Sequence, residues 1–281
     1  MLKNKAEKGF TLVELAIVLV IVGLLIGGIL KGQQLMENAS ITATVSQIRA
    51  MEAATTNFMD TYGALPGDLL DADSKITGCT GNLCTNDAGG GDDRFNPGDG
   101  VVGNTDWDML AYQPGTTPNA DDTVALTGGV AYGMETLLFW HSLEQAGLLN
   151  SVTEPMSNGS GTNQAFARTV PQAEIAGGFW AGYTNSSGDT GPDGFAYSLL
   201  GTVISLVAEP GDDIAAVDGA NDANAVIPVV AATIDRKIDD GLPQSGYVQA
   251  LGHNDCTTGN LYNESNEKLD CGVHIVIVPQ S

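Results

Sequence analysis

GFTLVELAIVLVIVGLLIGGILK, residues 9–31, is an apolar run with one carboxylate in it, Glu14, and a lysine, Lys31, at its far end. From Phe10 to Leu30 it covers 21 residues, enough to cross a hydrocarbon layer of about 30 Å as a helix. Lys3, Lys5 and Lys8 precede it, so the leader should stay in the cytoplasm while the bulk of the chain crosses. An ordinary secretory signal is cut after its apolar stretch, at small residues. Here the break in character falls before the stretch, at Gly9, so the apolar segment would remain on the mature chain. A carboxylate in the membrane costs roughly 3 kcal/mol on insertion scales, so Glu14 needs a proton or a cationic partner. No Lys, Arg or His lies between Phe10 and Leu30. Cleavage after Gly9 would create a cation, the new amine of Phe10, about one helical turn from Glu14.

The motif G-F-T-L-V-E followed by an uncharged apolar helix resembles the N-terminus of type IV prepilins, the precursors of type IV pilins and of type II secretion pseudopilins. The likeness covers about the first sixty residues. It implies a membrane peptidase that cuts between Gly9 and Phe10 and methylates the Phe10 amine. It further implies that Glu14 meets the amine of a neighbouring subunit during filament assembly. Such a buried pair is weak evidence of net stability, but it can fix register, which a helical polymer must specify. The partners implied are other copies of this chain, the prepilin peptidase, an inner-membrane assembly platform and, before assembly, membrane lipid. The destination implied is the bacterial inner membrane, then an extracellular or periplasmic filament. Gly23 with Gly27 and Gly28 with Gly32 are four apart, which permits close helix approach. Each also weakens the helix by about 1 kcal/mol, so the stretch could locally unwind. Many pilins carry a proline near the end of this segment; here it reads Gly27-Gly28-Ile29-Leu30-Lys31-Gly32.

Beyond Lys31 the helical pattern becomes one-sided. Ile41, Val45, Ile48, Met51, Thr55, Phe58 and Tyr62 recur at steps of three and four, a stripe fit to cover the sheet of a globular head. Thr42, Ser46, Arg49, Asn57 and Asp60 fall opposite, while Glu52 projects onto the stripe and would need Arg49 or another subunit as partner. Gly63 and Pro66 stop the helix. The division that follows is a leader at 1–9, a helix at 10–62 with its membrane segment at 10–30, and a head at 63–281.

The formal charge is −23, and removing the leader, which carries +2, leaves −25. That argues against broad nucleic-acid binding, which needs cations to displace phosphate counterions. Residues 64–130 are rich in Gly, Asn, Asp and Pro and read as an elaborated loop region. Within it Asp92, Asp93, Asn96 and Asp99 crowd one Gly-rich stretch, offering the oxygen ligands calcium prefers. Asp189 with Asp193, Asp212 with Asp213, and Asp239 with Asp240 are sparser versions. None has EF-hand spacing, and turn chemistry explains them equally well. Calcium is the cofactor these carboxylates suggest.

Four cysteines in a translocated head imply disulfides, paired by proximity as Cys79–Cys84 and Cys256–Cys271. The second pair also resembles the C-terminal disulfide loop of many type IV pilins. His253-x-x-Cys256 with Cys271-x-x-His274 is a rival set with zinc-like spacing. Met134–Ala146 reads as a helix ended by Gly147, and Pro228 opens another with Val230, Ile234 and Ile238 on one face and Gly241 beyond. Aromatic and β-branched clusters between Gly177 and Ala208 suggest two or three strands, and Val273–Val278 a central one. The fold class is α+β: a long N-terminal helix on a head with an antiparallel sheet and a disulfide-bracketed C-terminal loop. No nucleophile elbow, zinc-protease, P-loop or dinucleotide motif occurs, and the three His are scattered, so no enzymatic activity is indicated. The reading is a filament subunit, first of a surface pilus and second of a secretion pseudopilus. The rival from another class is a membrane-tethered, calcium-dependent adhesin that does not polymerise.

Overall fold

The computed structural model describes residues 11–69, 71–79, 135–152, 170–184, 201–208, 225–251 and 255–279. The long helix α1 runs unbroken from Leu12 to Tyr62, 51 residues, or about 77 Å at 1.5 Å per residue. The glycine-rich tract at 23–32 does not interrupt it: the backbone ladder needs no Cβ, and no proline removes a donor. Gly63 ends it at φ 74°, a left-handed conformation that glycine adopts without strain, and donates its N–H to Met59 O at 2.8 Å. Ala64, Leu65 and Leu69 then turn back into the core, ahead of the one-turn helix α2, Ala72–Lys75.

The two halves of α1 meet different surroundings. Large apolar residues from Leu12 to Met36 are exposed, whereas Ile41, Thr44, Val45, Ile48, Met51, Ala54, Thr55 and Phe58 are buried. Tyr62 is half-buried, its ring 4.6 Å from that of Phe58. Glu52 corrects the sequence expectation, because it is exposed. At 100° per residue, the buried positions 51, 54, 55 and 58 have moved round the helix relative to 41, 44, 45 and 48. Glu52 falls on the trailing side of that drift, in solvent.

Two further helices flank this half: α3, Glu135–Gln145, and α4, Pro228–Ile238. Phe139, Trp140 and Leu143 give α3 its buried face, and Gly147 at φ 70° closes it. Pro228 stands at the start of α4, where its missing N–H is no loss, and Val230, Ala231 and Ile234 face inward. The main sheet holds four strands, β1 (Gly178–Thr184), β2 (Gly201–Val207), β3 (Val248–Leu251) and β6 (Gly272–Pro279). Their order is β1-β2-β6-β3 and every neighbouring pair is antiparallel. Thus β6 is interior, and it is buried from Gly272 to Ile277, so both faces of the strand are covered. Helix α1 lies against β6, α3 against β1, and α4 against β3, with α1 touching both other helices. Arg49 on α1 donates to Lys237 O at the end of α4, at 3.1 Å.

Of the two or three strands expected between Gly177 and Ala208, β1 and β2 are described, and the cluster between them lies outside the described residues. The expected loop region lies outside them beyond Cys79.

Candidate functional site

Thr11 and Glu14 build the start of α1. Thr11 is the N-cap, with extended backbone at ψ 149°. Its hydroxyl accepts from Glu14 N at 3.3 Å, and the Glu14 carboxylate reaches back to accept Thr11 N–H at 3.0 Å and the Thr11 hydroxyl at 2.8 Å. This is a capping box, in which two helix-end groups satisfy one another. It folds the carboxylate toward the chain end, next to the peptide that joins Thr11 to Phe10. Both Thr11 donors go to one oxygen, Oε2. A carboxylate accepts about four hydrogen bonds, so acceptor capacity remains for a cation. Gly9 and Phe10 lie outside the described residues. Sequence reasoning singled out Glu14 but missed Thr11, although T-x-x-E is the capping-box pattern and could have found it.

Gly23, Gly27, Gly28 and Gly32 have open space beyond their Cα atoms, and the helix from Leu12 to Met36 presents apolar side chains all round. This helix is long and apolar enough to cross a membrane. A helix apolar on every side needs lipid or other helices as its surroundings.

The second constellation is at the C-terminus. A Cys256–Cys271 disulfide, with Cα atoms 5.2 Å apart, encloses a small hairpin of β4 (Thr257–Thr258) and β5 (Leu261–Tyr262). Gly259, at φ 60°, makes its tight turn. Cys271 is anchored further by paired backbone bonds with Val226, at 2.8 and 3.0 Å. Because Cys256 and Cys271 are joined, the zinc-like His/Cys set has no thiolates to offer. His274 sits in β6 with its Nδ1 2.7 Å from Ser205 Oγ, and burial holds its pKa down at about 3. His253 lies outside the described residues. Cys79 is buried and disulfide-bonded, and its expected partner Cys84 lies outside the described residues. His141 on α3 is a packing residue: it is buried, its ring nitrogens find no hydrogen-bond partner among the described residues, and burial lowers its pKa.

The calcium candidates Asp92, Asp93, Asn96 and Asp99 lie outside the described residues, as do Asp189, Asp193, Asp212 and Asp213. Asp239 and Asp240 are described, and Asp235 joins them, with one carboxylate oxygen of each lying within 4.8 Å of the others. Asp235 was not foreseen, although its spacing to Asp239 is one helical turn. Each of the three accepts hydrogen bonds from the chain itself. Asp235 accepts Tyr262 O–H at 2.9 Å and Gly241 N–H at 3.0 Å. Asp239 accepts Tyr247 N–H and, at 3.3 Å, Val248 N–H. Asp240 accepts Leu242 N–H at 2.8 Å and Ser245 O–H at 2.7 Å. The trio fastens the turn after α4 to β3 and to the hairpin.

Comparison with known proteins leaves the head without a counterpart: no curated protein and no solved structure matches the chain. The N-terminus does match. Residues 4–30 fit the family described as Prokaryotic N-terminal methylation motif, a span that takes in Lys5, Lys8, Gly9, Phe10, the Thr11–Glu14 box and the apolar run. With a helix start built round Glu14 and an apolar helix continuing from it, the chain carries the prepilin-type cleavage and methylation segment of type IV pilins and pseudopilins.

Proposed function

We infer that this chain is a structural subunit of a type IV pilus-like filament. It is stored in the inner membrane through residues 10–30, cut after Gly9, methylated at Phe10, and extruded into a helical polymer. Within the polymer the Phe10 amine of one subunit pairs with Glu14 of the next. The head, residues 63–281, lies outside the cytoplasm and carries the filament surface. The observation that carries this reading is the division of α1: its C-terminal half is core, while its apolar N-terminal half has no partner among the described residues and one carboxylate at its start. The partners follow from the motif: prepilin peptidase, an assembly platform in the inner membrane, and further copies of the chain. A structural role, without catalysis, belongs to the same reading.

Glu14→Ala in the native host tests it. Sheared fibres from unaltered cells should contain this chain beginning at methylated Phe10. The variant should be cleaved and membrane-inserted normally, yet yield at least tenfold fewer fibres. Fibres in normal number would refute the role of Glu14. Fibreless unaltered cells whose surface binding does not depend on Glu14 would instead support the tethered adhesin. A secretion defect with fibres confined to the periplasm would place the chain in a pseudopilus.

A further inference from the structure

The turn after α4 holds the C-terminal hairpin through one buried contact. Asp235 is fully buried, yet among the described residues it forms no ion pair. Its partners, the Tyr262 hydroxyl and the Gly241 amide, are neutral donors. The charged and titratable groups around it are countable. Asp239 and Asp240 come from the turn itself, and both oppose a negative charge on Asp235. Tyr262 comes from β5, and β3 contributes no titratable side chain. Arg236, next on α4, pairs with Glu264 of the disulfide loop, and Arg49 of α1 is engaged with Lys237 O. An anion removed from water, given only neutral donors and set beside two like charges, binds a proton more readily than it would in solvent.

We propose that the buried seat of Asp235 beneath Tyr262 makes the hairpin a proton-tightened latch: closing the disulfide hairpin onto α4 takes up a proton at Asp235, so the hairpin is held more firmly in mildly acidic surroundings than in neutral ones. When the hairpin lifts, Tyr262 leaves and water reaches Asp235, returning the carboxyl to its ordinary range. When the hairpin is closed, burial raises the Asp235 pKa to about 6. The protonated carboxyl still accepts the Tyr262 hydroxyl on its carbonyl oxygen, so the contact survives protonation. With 3.8 as the ordinary value, linkage gives about a tenfold drop in hairpin opening between pH 7.5 and pH 5. The proposal does not depend on whether the chain polymerises.

The Cys256–Cys271 bond supplies the readout, because both residues are fully buried and a reductant reaches them only when the hairpin opens. The full chain in detergent micelles, with chelator present, is exposed to a phosphine. Reduction of this disulfide is followed by alkylation and mass spectrometry, relative to an unstructured disulfide peptide at each pH. Protection should rise about tenfold from pH 7.5 to pH 5, and Asp235→Asn, which mimics the protonated state, should hold it constant within about twofold. Flat or falling protection in the unaltered protein, or an equal rise in Asp235→Asn, overturns the proposal. Should Asp235→Asn fail to fold, Tyr262→Phe decides: it removes a donor that favours the charged carboxylate, so the acid-induced rise must begin at higher pH. An unchanged onset overturns the proposal as well.

Discussion

Replacing both Cys256 and Cys271 by Ala isolates what the C-terminal cross-link contributes. The two are 15 residues apart in sequence. In the chain-entropy model a loop of that length restricts the unfolded chain by about 10 cal/mol/K, or about 3 kcal/mol at 25 °C. Ala is the better replacement, since Ser would place hydroxyls in sites that exclude water. The native hairpin keeps other ties: the Val226–Cys271 backbone pair, Asn263 N–H to Cys256 O at 2.9 Å, and Tyr262 on Asp235. The loss should therefore come mainly through the unfolded state, with the native fold intact. Trp140 and Trp180 are buried in the head, so their fluorescence during urea unfolding of the micelle-bound chain reads the transition. The expected outcome is a drop of about 3 kcal/mol in unfolding free energy with an increased urea slope, because the uncrosslinked chain exposes more surface. A loss under about 1 kcal/mol with native-like spectra would refute the reasoning. So would failure of the variant to fold even at low temperature.

Phe58→Ala, at a fully buried position near the C-terminal end of α1, should destabilise the head by about 3–5 kcal/mol, measured by the same transition. Gly177→Ala should destabilise the β1–β2 edge by more than about 2 kcal/mol: its φ is 65° and a Cβ would come within 1.9 Å of Val207 O. Ser205→Ala removes the partner of a buried histidine nitrogen at 2.7 Å and should cost about 1–3 kcal/mol. For pH, His274 has a folded value of about 3 against 6.5 when unfolded, so its contribution is fully present above pH 6.5 and is lost as pH falls toward 3. At pH 5 that loss is about 2 kcal/mol, and His274→Gln should flatten the acid limb of a stability–pH curve. The Asp235 contribution has the opposite sign and grows as pH falls through about 6.

The elements legible in sequence were those with strong local periodicity or strong punctuation. The stripe Ile41, Val45, Ile48, Met51, Thr55, Phe58 appears in the structure as the buried face of α1, and the Gly147 and Pro228 boundaries stand where glycine and proline chemistry put them. The run at Val273–Val278 lies within an interior strand because its Val and Ile side chains fall on both faces, with His274 between them held against Ser205. Glu52 was misread because a fixed helical period ignores how a long helix curves its contact face round a small core. Thr11 gives a weaker signal than the charge of Glu14, because a T-x-x-E pattern becomes a cap only where a helix starts. Asp235 was invisible for another reason. In so acidic a chain one more aspartate carries no signal, and only folding brings Tyr262 from 27 residues away onto it.

The stalk and the central beam of the head are one and the same helix, with no linker between them. A pull applied along the Leu12–Met36 half is therefore transmitted as axial tension straight into the Ile41–Phe58 stripe. That stripe is loaded in shear along its whole length at once, instead of being peeled one contact at a time. Head and stalk cannot swivel independently, and separating them mechanically means rupturing the core itself.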